Sequence, residues 1–164
     1  MQNYRQIAPG AYLVAFLLFA IPFFDAMMSV APWSWGNAQW RFGAIGLMSN
    51  ALMLPASGAL IAVVTAVVFG HMKTQRSLGM IAWMLVALVF VSAGMFALDA
   101  VQTKSQIRAE MMLSYRVGTL TATVKLVLGM ITFALLGRAC RIERTVHQES
   151  GSARLITQRD LVSS

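Results

Sequence analysis

Four long apolar runs constrain this chain more than anything else in it. They cover roughly residues 11–30, 42–70, 79–101 and 117–139. About 20 apolar residues in a helix cross the hydrocarbon core of a bilayer, and each run reaches that length. Lipid offers no partner to a backbone N–H or C=O, so each run is expected to be a helix. Only 12% of the 164 residues are charged, whereas 58% are hydrophobic, and the mean hydropathy is +0.67. A soluble domain carries about 25% charged residues. The sequence therefore predicts an all-α fold, an integral membrane four-helix bundle over residues 1–145, followed by a polar cytoplasmic tail over residues 146–164.

The second run is too long to cross straight, at about 42 Å as a helix. Pro55 lies near its middle and cannot donate to the carbonyl of Ala51, which predicts a kink there. The first run has features of a signal peptide, with Arg5 before it and Ser29-Val30-Ala31 after it. It is long for such a segment, and a retained helix is the expectation. Between the third and fourth runs, residues 102–115 set Ile107, Met111 and Met112 against Lys104, Arg108 and Glu110. That pattern suggests a short amphipathic helix in the interface. The start of the tail is expected to extend the fourth helix, with fraying beyond Gly151.

Basic residues orient the bundle. Arg5, Lys73, Arg76, Arg138, Arg141, Arg144, Arg154 and Arg159 fall on one side, against Arg41, Lys104, Arg108 and Arg116 on the other. Eight against four places both termini in the cytoplasm, with a bacterial inner membrane as the expected location. Trp33, Trp35 and Trp40 mark the opposite interface. The net charge of +7 is spread over loops and the tail and forms no basic face, so no nucleic-acid partner is expected. The expected surroundings are the lipid bilayer and a second membrane chain, as a homodimer or a different membrane protein.

A repeated signature organises the interior. Trp40-Arg41-Phe42-Gly43 and Tyr115-Arg116-Val117-Gly118 share the order aromatic, arginine, apolar, glycine. Each arginine follows an aspartate, Asp25 or Asp99, at nearly the same spacing. The same register sets Asn50 opposite Lys125. These matches predict two parallel helical-hairpin repeats. Asp25 and Asp99 lie near helix C-termini, whereas Arg41 and Arg116 lie at N-termini. Both placements oppose the helix dipole, at about 0.3–1 kcal/mol each. Aspartate–arginine pairs at the membrane surface, within or across hairpins, would remove that conflict.

Lys125 stands deeper, nine residues beyond Arg116, about 13 Å along a helix axis. A lysine near mid-bilayer costs about 2.5–3.5 kcal/mol on insertion scales, and intramembrane charges commonly mark functional sites. Helical spacing puts Gly118, Thr121, Lys125, Gly129 and Thr132 on one face, matched by Gly43, Gly46, Asn50, Leu54 and Ser57. Small and polar stripes of this kind suit close helix packing, so both are expected to face the bundle interior. The candidate ligand-binding set is Asn50, Lys125, Thr121 and Ser57. Asn50, the backbone freed at Pro55 and Asp99 are the candidate partners of Lys125.

Catalytic patterns are not evident. No Ser-His-Asp set, phosphate loop or metalloprotease motif occurs. His71 and His147 lie outside the apolar runs, where they cannot face each other across haem. The methionine pairs Met27-Met28 and Met111-Met112 lack a histidine or cysteine beside them, so neither metal nor cofactor is expected. Cys140 stands alone, which excludes an internal disulfide and leaves a free thiol or a juxtamembrane acylation site. The expected function is that of a non-enzymatic accessory or assembly partner within the membrane. The alternative is a small transporter or channel subunit using the level of Asn50 and Lys125.

Overall fold

The computed structural model describes the backbone over residues 7–162 and side chains over residues 7–141. The described residues form helices and connecting turns, without strands. Helix α1 spans Ile7–Ser29, α2 Ala38–Ala51, α3 Met53–Val68, α4 Met72–Lys104 and α5 Met112–Val162. A 3-10 turn at Ala109–Met111 precedes α5. Three helical segments are long and apolar enough to cross a membrane, and a fourth crossing results if α2 and α3 form one span.

That composite span breaks at Leu52 and bends by 43°. Pro55 supplies the reason, since it has no N–H for the carbonyl of Ala51. Normal pairing resumes one residue later, where Ala56 N–H donates to Leu52 O at 3.1 Å. The chain stays right-handed helical through Leu52, so the kink expected at Pro55 falls one turn before it.

Helices α4 and α5 form the most extensive pairing, and α1 lies along α3. Small residues set both approaches. A Cβ added to Gly58 of α3 would lie 2.7 Å from the Ala15 carbonyl oxygen of α1. On the other pairing, a Cβ on Gly137 would meet Trp83 Nε1 at 2.8 Å, and one on Gly79 would meet Cys140 Cβ at 3.0 Å. Where hydrocarbon surrounds the helices, such close backbone contact replaces the hydrophobic drive of a soluble core. Cys140 is therefore buried within the bundle, and its sulfur does not present the accessible thiol that acylation requires.

Two apolar clusters form the interior. One joins Ala56, Val63, Ala82, Phe133, Leu136 and Cys140; the other joins Val89, Phe96, Ala122 and Leu126. Leu52, at the bend, packs against both. Helix α1 packs its backbone along α2 and α3, and it meets the start of α4 through Tyr12, whose hydroxyl shares a hydrogen bond with His71 Nδ1 at 3.0 Å. The gap between α1 and α4 leaves an apolar cavity of about 350 Å³ lined by residues including Phe16, Phe19 and Ile81.

Two expectations about the connections are corrected. Residues 102–115 do not form a separate interfacial helix: residues 102–104 complete α4, and the 3-10 turn leads directly into α5. The long α4 uses up the first part of that segment, so too little remains for another helix. The tail does extend the last helix, but the helix continues past Gly151 to Val162. A lone glycine costs a helix interior only about 1 kcal/mol and need not stop it.

Candidate functional site

The end of the bundle that carries the tryptophans is tied by one charged knot. Helix α2 starts at an asparagine cap: Asn37 Oδ1 accepts from the N–H groups of Gln39 at 2.9 Å and Trp40 at 3.2 Å. This cap fixes the first turn and directs Arg41 toward α4. Arg41 Nε donates to Asp99 Oδ2 at 3.0 Å, and Nη2 donates to Oδ1 at 2.7 Å. Its Nη1 donates to the Trp35 carbonyl at 2.6 Å. The Asp99 side chain is 3% exposed and that of Arg41 21%. The fork therefore neutralises a carboxylate that water cannot reach. Trp40 Nε1 adds a bond to the Val30 carbonyl at 3.1 Å, closing the loop between α1 and α2.

This pair joins α2 to α4, the across-hairpin arrangement of the two that the sequence allows. The equivalent pairing of Asp25 with Arg116 does not form, and neither aspartate pairs with the arginine of its own hairpin among the described residues. Asp25 and Arg116 are both exposed. Helix α1 does not approach α5, which keeps these two charges on separate faces. Of the four ion-pair residues singled out, the structure joins Arg41 and Asp99 alone.

Beneath the knot lies a groove between α2 and α5, mostly apolar with a few polar groups. It has a volume of about 430 Å³ and is lined by residues including Phe42, Gly43, Gly46, Asn50, Tyr115, Gly118 and Thr121. Phe42 stacks on Phe96 at 4.7 Å with the rings 9° from parallel, forming the back wall. Tyr115 Oη donates to the Ala100 carbonyl, holding the mouth of α5 against α4. At the lower end, Lys125 Nζ donates to Asn50 Oδ1 at 2.5 Å. Lys125 is half-buried; Asn50 and Thr121 are exposed. Below this level the helices close, with Leu52 Cδ1 lying 3.4 Å from where a Cβ on Gly129 would stand.

The stripes therefore do not face the interior along their whole length. Their upper part lines a lateral groove; below it Gly129 packs against Leu52, whereas Leu54 is exposed. Ser57 lies outside the site. Its hydroxyl bonds to the Met53 and Leu54 carbonyls of its own helix at 3.1 and 2.8 Å. The straight-helix spacing that aligned Ser57 with Asn50 is broken by the bend at Leu52. Of the candidate partners of Lys125, Asn50 is the one it meets, and Asp99 is fully engaged by Arg41.

Neither the Asn37 cap nor Trp40's bond at the loop is among the expectations above, although Asn before a helical run is a recognisable start signal. Chemically, the groove ends at Asn50, whose amide oxygen holds the Lys125 ammonium just beyond the lining, a cation with one neutral acceptor that suits an anionic group. No group of three or more His, Cys, Asp or Glu side chains capable of holding a metal occurs among the described residues. The fold and groove define an all-α protein with three to four candidate membrane spans and a groove between two of them. Comparisons with protein-family models, curated proteins and solved structures found no match.

Proposed function

We propose that the chain is a non-enzymatic accessory or assembly protein of the bacterial inner membrane, with the groove between α2 and α5 as its working surface. The observation that carries this reading is Lys125, a cation inside the bilayer whose ammonium meets a neutral amide oxygen at the end of a laterally open groove. Maintaining such a charge is costly in hydrocarbon, and a countercharge from another molecule offsets that cost. Extracted in a mild detergent, the protein is expected to appear by native mass spectrometry in assemblies heavier than the 17.9 kDa chain. Recovery as a stable monomer, with no partner retained after gentle crosslinking, overturns the reading.

The transporter or channel reading takes the same residues as a solute site, and their polarity near mid-bilayer favours it. The contact between Leu52 and Gly129 closes the groove below Lys125, which suits a docking notch better than a through-path. Solute uptake by reconstituted vesicles that disappears in Lys125→Met would favour the transporter instead.

Orientation has its own test. With both termini cytoplasmic, a fluorescent protein fused after Ser164 is expected to fold and emit. A reporter that needs the periplasm is expected to be active when inserted between Ser34 and Asn37. The reverse pattern rejects this topology.

A further inference from the structure

We infer that the groove between α2 and α5 receives a transmembrane helix of a different protein, one that presents an aspartate or glutamate to Lys125. The inference rests on the assembly reading above and specifies its partner. Four observations narrow the occupant.

Charge comes first. Lys125 Nζ is bonded to Asn50 Oδ1, and no carboxylate pairs with it among the described residues. An intramembrane ammonium is best matched by an anion.

Depth then separates the possible anions. Lys125 lies nine residues inside Arg116, about 13 Å along the α5 axis. The hydrocarbon core is about 30 Å thick, so this level is near its middle. A phospholipid phosphate or a fatty-acid carboxylate sits at the interface, above that level. A side chain on a membrane-spanning helix can be placed there.

The composition of the chain excludes a second copy as the donor. Its six acidic residues are Asp25, Asp99, Glu110, Glu143, Glu149 and Asp160. Asp25 and Asp99 lie near helix ends, and the other four lie in the turn before α5 or beyond its apolar part. None stands in the middle of a span. A second copy in the same orientation therefore brings no carboxylate to the depth of Lys125.

The groove walls also suit a helix. Added Cβ atoms at Gly43 and Gly118 would meet nothing within 4 Å, leaving room for a neighbouring backbone to approach. The ammonium can then bridge Asn50 Oδ1 and the incoming carboxylate, since it has three donors.

The test places a photo-crosslinking amino acid in the full chain, in the membranes of cells that produce it. Thr121→p-benzoylphenylalanine probes this groove, and Phe16→p-benzoylphenylalanine probes the apolar cavity beside α1. The Thr121 probe is expected to yield one discrete protein adduct. Its attached peptide should fall in an apolar span with Asp or Glu near the middle. Lys125→Leu should lower the yield by more than about tenfold, whereas Lys125→Arg should retain most of it. Thermal unfolding of Lys125→Leu checks that the bundle remains folded. Exchanging the charges, with Lys125→Glu against lysine in the partner, should restore the adduct. Adducts with a second copy, with lipid alone, or with a span lacking a carboxylate each overturn the inference. A partner captured from Phe16 and not from Thr121 overturns it while leaving the assembly reading standing. Protein adducts from neither position reject both.

Discussion

Arg41→Gln is expected to lower the stability of the bundle more than any other single charge removal. Glutamine cannot reach Asp99 with two donors, so three bonds disappear together: two to Asp99 and one to the Trp35 carbonyl. The Asp99 carboxylate then stays buried without a countercharge. Stranding one partner of a buried pair costs about 3–5 kcal/mol, a large part of the 5–15 kcal/mol that typically holds a domain folded. The loop that carries Trp33 and Trp35 loses its anchor as well. Thermal unfolding in detergent and protease sensitivity between Val30 and Asn37 measure both effects. Arg116→Gln is expected to leave the midpoint unchanged, because Arg116 is exposed and forms no ion pair among the described residues. Leucine at both 41 and 99 should recover part of the loss, since the double change removes the stranded charge. Equal losses from Arg41→Gln and Arg116→Gln, or additive losses at 41 and 99, would show that this pair is not the tie.

Gly58→Leu is expected to separate α1 from α3. A Cβ at Gly58 lands 2.7 Å from the Ala15 carbonyl oxygen and 3.2 Å from Leu18 Cβ and Phe19 N. The nearest obstacle is backbone, so no rotamer change relieves it; the helices must move apart. Overpacking in a tight interface costs about 1–3 kcal/mol, and leucine adds a whole side chain to the first intruding carbon. Gly58→Ala should lie between leucine and the parent. Gly43→Ala serves as the control, because an added Cβ there meets nothing within 4 Å. Unfolding midpoints in the order parent, Gly58→Ala, Gly58→Leu, with Gly43→Ala beside the parent, fit the structure. Tolerance of leucine at 58 does not.

Much of the architecture is legible in the sequence because hydrocarbon permits so few backbones. The apolar runs mark helices, and Pro55 marks the kink because it has no N–H to offer the Ala51 carbonyl. Asn50 and Lys125 are legible as partners because both lie above the bend, where helical spacing still counts correctly. Ser57 misleads for the same reason in reverse: it lies beyond Leu52, where a 43° turn changes which way a stripe faces. The identity of the ion pair was open because periodicity assigns a residue to a face, not to a neighbour. Arg41 reaches Asp99 because α2 packs on α4, and Asp25 misses Arg116 because α1 never nears α5. Gly58 escaped notice because its importance comes from the carbonyl of a distant helix. No pattern local to α3 reports that contact.

The packing of α1 chiefly on α3 also bears on how the protein is made. Helix α1 leaves the ribosome first, and its main packing surface, on α3, is synthesised later. During that interval it rests in lipid by its own hydropathy, which averages 2.1 over its most apolar window. Once α3 has emerged, the surfaces of α2 and α3 on which α1 packs are available, and the contacts of Tyr12 with His71 and Thr74 at the start of α4 follow. The first half of the molecule can therefore settle before α4 and α5 are inserted, so that the order of synthesis is also an order of assembly.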